Sequence, residues 1–142
     1  MAISPYTGKF HVEWYPKKVS TVMTNQDLVY LDSNGFVAPA VDDAAIVPIG
    51  LIQKSIAATD SDYASTTDVP VLVGDADSEY LVDVGNGSAA TTDIGEWCDV
   101  DGTYPDTKID VAASSYDIWF VTKIVSTSKV VAKLAKKSGS AA

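Results

Sequence analysis

The chain has 142 residues and is 46% apolar, enough for one domain that buries a single large core, and too apolar for disorder to be the default. Nineteen acids, sixteen of them Asp, oppose ten lysines, and there is no arginine, which leaves a formal net charge of −9. That balance argues against nucleic acid or anionic membrane as partner, since phosphate surfaces are held by clustered Lys and Arg, and it removes the bidentate clamp used for phosphate and carboxylate substrates.

The opening stretch is MAISPYTGKFHVEWYPKK, and its start, MAISPYTGKF, has neither a basic n-region nor an apolar h-region, so no signal peptide is expected. It is unusual in another respect. Tyr6, Phe10, Trp14 and Tyr15 bring four of the thirteen Phe, Trp and Tyr residues into the first fifteen positions, followed by Lys17 and Lys18. Pro5 and Pro16 favour extended backbone, and Phe10, Val12 and Trp14 alternate without a nearby turn to fold the segment back. Such a segment left in water would be an apolar patch of a kind monomers seldom keep. Two readings follow: an extended N-terminal arm over 1–18 whose aromatics and lysines contact a partner, or the first strand of the domain itself.

From residue 19 to 135 the pattern is that of short strands. Asp, Ser, Thr, Val and Gly dominate, and these favour strands, turns and caps over helix interiors. LVYL-DSNG-FVAPA predicts a hairpin, with Asn34-Gly35 supplying the positive-φ turn. ATDSDYASTTD (58–68) predicts an exposed loop. In VPVLVG, Val69, Val71 and Val73 share one face; in SEYLVDVG, Tyr80, Val82 and Val84 do, with Glu79 and Asp83 opposite. GNG (Gly85 to Gly87) predicts a second turn. DIWFVTKIV is apolar on both faces and belongs in the centre of the sheet system. KVVAKLA predicts an edge strand with its lysines toward solvent, a short helix being the alternative. SGSAA, within 136–142, predicts a flexible tail. At least seven such strands define an all-β single small β-barrel or β-sandwich.

Reactive groups are few. His11 and Cys98 are the only histidine and cysteine, and Cys98 alternates with Val100 as a buried thiol does, so neither a Cys/His pair nor a serine triad is supported. DADSE (Asp75, Asp77, Glu79) and DVDG (Asp99, Asp101) have calcium-loop spacing, yet Tyr80 and Tyr104 stand where the loop requires glycine. These acids are read as turn formers. No cofactor, metal or catalytic activity is expected. Asn86-Gly87-Ser88 fits a glycosylation acceptor, which a turn also explains. Trp97 and Trp119, with Tyr63, Tyr104 and Tyr116, could form a sugar platform, although such residues more often fill cores.

From about Gln26 to Lys133 the chain resembles the small all-β head decoration (capsid-stabilising or cementing) proteins of tailed bacteriophages. The resemblance rests on LVYLDSNGFVAPAVDDAAIVPIGLIQKSI and VPVLVGDADSEYLVDVGNGSAATTDIGEW, where IVPIGLI follows an Asp/Ala-rich connection. It implies a non-enzymatic virion protein, made in the host cytoplasm, that binds the outer capsid surface as a homotrimer and contacts the major capsid protein. It also implies that terminal arms reach neighbouring subunits, a role for Tyr6, Phe10, Trp14, Tyr15, Lys17 and Lys18. The alternative is a β-sandwich module that binds carbohydrate or a cell surface.

Overall fold

A computed structural model describes residues 2–40, 46, 48–102 and 107–134. The described residues form eleven strands and one 3₁₀ turn (Thr91–Asp93), divided between two sheets. The predicted tail, 136–142, lies outside them.

The first sheet contains β1 (Ile3–Thr7), β7 (Glu79–Asn86), β8 (Trp97–Asp101), β9 (Lys108–Asp110), β10 (Trp119–Ser126) and β11 (Lys129–Leu134), in the order β1-β7-β11-β10-β8-β9. β9 also pairs in parallel with the far end of β7, through Val84↔Ile109 and Asn86↔Asp110. That pairing closes five strands into a small barrel and leaves β1 outside it, on the near end of β7. The second sheet runs β2 (Phe10–Pro16), β6 (Asp68–Gly74), β5 (Pro48–Ile52), β3 (Leu28–Leu31) and β4 (Val37–Pro39). It curls too. A parallel bridge Lys17↔Val37, with Lys18 N–H donating to the Val37 carbonyl at 2.9 Å, brings its two ends together.

Period-two alternation explains where the two cores lie. Val69, Val71 and Val73 face one way from β6 and pack with Met23, Val29, Val37, Ile52 and Ile56 inside the curl of the second sheet. Tyr80 and Val82 of β7 face the barrel interior with Val100, Ile109, Trp119, Val121 and Val130. Leu28 and Leu51 belong to this larger cluster although they come from the second sheet, so they join the two layers.

Three local expectations need correction. The β3–β4 turn forms, but only Gly35 takes a positive φ (83°); Asp32 builds the rest by accepting N–H bonds from Asn34 and Phe36 at its Oδ1 (2.9 and 3.0 Å). GNG is not a hairpin turn, because β7 runs on through Gly85 and Asn86 to meet β9. A side chain at Gly85 would collide with the Asp101 carboxylate, which explains a glycine inside that strand. Nor is β11 an edge strand: it lies between β7 and β10, with Val130, Val131 and Ala132 all buried. Its Lys129 and Lys133 mark a solvent-facing side of the strand, not an unpaired edge.

The largest correction concerns the opening segment, which is built into both sheets rather than set apart as an arm. β1 pairs with β7, and Ile3 is 2% exposed in the first core. β2 forms a seven-residue ladder with β6, from Phe10↔Gly74 to Pro16↔Asp68. Gly8 makes the step between the sheets possible. Its φ is +103°, and a Cβ there would lie 2.7 Å from the Ser78 backbone. Ser78 itself is buried and donates from Oγ to the Lys9 carbonyl at 2.6 Å, pinning the crossover. Gly8→Val should therefore cost about 2–4 kcal/mol, combining left-handed strain with a backbone clash. Urea unfolding measures it; a midpoint within error of wild type would refute the role.

Candidate docking surface

The six residues expected to contact a partner have three different fates. Lys17 is fully buried, and its ammonium donates to three carbonyls: Tyr63 at 2.7 Å, Ser65 at 2.8 Å and Lys18 at 3.0 Å. Burial lowers its pKa, and nearby Asp62 partly offsets the shift. The three donors of the ammonium are thus matched within the chain. Lys17 is a tie between β2 and the 57–67 loop, not a contact residue.

Phe10 and Tyr15 are half-buried. Phe10 packs edge-on against Tyr80, ring centroids 5.4 Å apart, and Tyr15 packs on the second core while its hydroxyl donates to Glu13 at 3.1 Å. Burial first, then the hydrogen bond and charge of Glu13, raises the Tyr15 pKa. Tyr6, Trp14 and Lys18 face solvent; Trp14, at 62% exposure, is the most exposed large apolar side chain among the described residues.

Register shows why Trp14 is left uncovered. Antiparallel partners share a face, so Val12, Leu72, Leu51 and Leu28 form one row across β2, β6, β5 and β3. Leu51 and Leu28 are fully buried beneath the barrel, Leu72 is half-buried, and Val12 is 50% exposed. The barrel covers the inner half of this face and stops. Val12 and Trp14, with their partners Leu72 and Pro70, form an apolar strip on the outer half.

Beside the strip, where the two sheets meet, lies a recess of about 270 Å³. Pro48 and Ile49 line it from the second sheet, and Tyr80, Trp97, Phe120 and Leu134 from the first; Asp75 and Lys133 are its charged members. Trp97 is 42% exposed and packs on its cross-strand neighbour Phe120 with centroids 4.8 Å apart. Trp119 occupies the opposite face, fully buried and edge-on to Tyr80 at 5.7 Å. Trp97 and Trp119 therefore do not make one platform. Tyr63 and Tyr116 are half-buried against the two cores, and Tyr104 lies outside the described residues. Phe120, Leu72 and Pro70 were not singled out by the sequence, because their place beside Trp97, Val12 and Trp14 follows only from strand register.

The remaining candidates are spent within the fold. Cys98 is 2% exposed, and burial, with Asp93 and other acids adding to it, pushes its thiol up to about 12. His11 is itself exposed, on the face of β2 opposite Trp14, with its Nε2 2.5 Å from Glu13 Oε2. Asp75 Oδ1 accepts from Asp77 N–H and Ser78 Oγ, each at 3.0 Å. The buried Asp99 carboxylate accepts N–H bonds from Ser115, Tyr116 and Asp117 at 2.7–3.0 Å. Among the described residues, no group of three or more His, Cys, Asp or Glu could hold a metal ion.

Glu79 has a role of its own. It accepts from Thr122 Oγ1 (2.5 Å) and Thr7 Oγ1 (2.8 Å), linking β10 and β1 to β7. The Thr122 bond foremost, then the Thr7 bond, holds its carboxyl below the ordinary 4.5. A depressed native pKa means that this stabilisation is present above pH 4.5 and is lost as the pH falls through the native value. Glu79→Gln should flatten the acid side of the Tm–pH curve. An unchanged acid slope would refute this.

The fold and this surface define an all-β module that carries an apolar strip and an apolar recess on its outside. Neither protein-family models nor curated proteins yield a match to the chain.

Proposed function

We propose that the protein is a structural component of a tailed-phage virion that binds the outer capsid surface and cements it, assembling with itself as a homotrimer and with the major capsid protein. The resemblance over Gln26–Lys133 supports this reading, and one structural observation carries it: the apolar strip of Val12, Trp14, Pro70 and Leu72 on the terminal strand pair of the second sheet. A strand face that its own domain leaves half uncovered suits contact with another protein, and aromatic anchors are the side chains that most often dominate such contacts. Catalysis and cofactors have no part in this reading.

The test is co-sedimentation of the full chain with shells assembled from the major capsid protein of the same phage genome, before and after shell expansion. Saturable binding to expanded shells is expected, with a rise in the temperature at which they dissociate. Absence of binding to either form would overturn the proposal.

A further inference from the structure

Trp14 and the seam recess lie on one chain but cannot serve each other within it. The ladder with β6 fixes Trp14 opposite Pro70, whereas Gly74, which lines the recess, stands opposite Phe10. Four residues of strand separate the two positions, about 13 Å, which is beyond the reach of a side chain held in a ladder. For Trp14 to fill a recess of this kind, the recess must belong to another molecule.

We propose that Trp14 of one copy inserts into the seam recess of a second copy. The chemistry of the two surfaces agrees. The recess is walled by Pro48, Ile49, Tyr80, Trp97, Phe120 and Leu134, and its 270 Å³ admits one aromatic side chain. The indole has a single donor, and the Asp75 carboxylate, with about four acceptor sites, has capacity beyond the turn bonds it makes. Charge agrees as well. Lys18, exposed and without an ion pair among the described residues, lies four residues along from Trp14, while the recess carries Asp75 and, beside it, Asp77 against Lys133, whose Nζ is 3.8 Å from the Asp77 carboxylate. A base on the arriving strand offsets part of the repulsion between two chains of charge −9.

Knob and recess are different patches, so each copy gives one indole and receives one, reciprocally in a two-fold pair or from different neighbours in a head-to-tail contact. Head-to-tail contacts propagate and close into a ring when the rotation allows. A ring of three is the homotrimer of the capsid reading, and the inference rests on the self-association part of that reading.

The experiment is sedimentation equilibrium on the full chain and on two variants, Trp14→Ala and Ala76→Arg. Ala76 is an exposed turn residue that lines the recess, so Arg there covers its mouth and repels Lys18 without touching the core; circular dichroism checks that both variants fold. Each variant alone should stay monomeric where the wild type associates, its dissociation constant raised about thirtyfold or more. Mixed together they should form a one-to-one complex that grows no further, because one retains the recess and the other the indole. Wild type that stays monomeric to about 1 mM overturns the inference. So does association that survives Trp14→Ala, or a mixture that fails to pair. Shell binding is scored separately: a monomer that still binds capsid removes this contact and leaves the capsid reading standing.

Discussion

Deleting residues 1–18 should leave a chain that no longer melts cooperatively. The loss removes β1, which covers the near end of β7, and the seven-residue β2 ladder that covers β6. Ile3 leaves the first core, and Phe10 leaves its contact with Tyr80. Tyr15 leaves the second core, and the Lys17 ammonium no longer holds the 57–67 loop through the Tyr63 and Ser65 carbonyls. Burial of an Ile or aromatic side chain contributes about 1.5–3 kcal/mol. Several such losses, with two newly unpaired strand edges, approach the whole net stability of a domain, about 5–15 kcal/mol. Far-UV circular dichroism with thermal melting reads the outcome. A truncated chain that melts near the wild-type temperature with a sharp transition would restore the view of this segment as a separable arm.

Trp119→Ala should be the most damaging single substitution among the tryptophans. The side chain is fully buried, stacked edge-on against Tyr80, at the centre of the larger core. Truncating a buried aromatic costs about 3–5 kcal/mol. In a chain of 142 residues that corresponds to a fall in Tm of about 10–15 °C. Trp119→Phe should be milder than its lost volume suggests, because the indole Nε1 is buried without a hydrogen-bond partner among the described residues and the change removes that donor. Trp97→Ala, at a partly exposed site on the outer face, should cost about 1 kcal/mol or less. Equal costs at Trp97 and Trp119 would contradict the opposite facing of the two rings.

The contrast between these tryptophans shows how far sequence alone reaches. What was legible was local. Alternation in VPVLVG and SEYLVDVG placed Val69, Val71, Val73, Tyr80 and Val82 on inward faces, and each is buried. The turn role of the acids is visible in Asp32 and Asp75, each of which accepts a bond from backbone two residues on. Asp99, expected to form a turn, instead lies buried in β8 and holds the distant 115–117 loop by accepting that loop's N–H groups. The all-β class followed from the density of such signals.

What tertiary structure decided was the identity of each strand's neighbours. A period of two reports which side chains share a face and says nothing about what lies along the strand's edges. The partner of β2 begins at Asp68, more than fifty residues downstream of Pro16, so GKFHVEWYP could be read as an arm or a strand with equal right. Lys129 and Lys133 suggested an edge, yet β11 is paired on both sides, because a solvent-facing side and an unpaired edge produce the same lysine spacing. Lys17 and Lys18 are adjacent in sequence, and only the approach of the Tyr63 and Ser65 carbonyls makes one a buried tie and leaves the other exposed. The strip and the recess have the same origin. They are margins left where one sheet only partly covers another, and the extent of that cover is set by non-local strand pairing and packing rather than by any local run of residues.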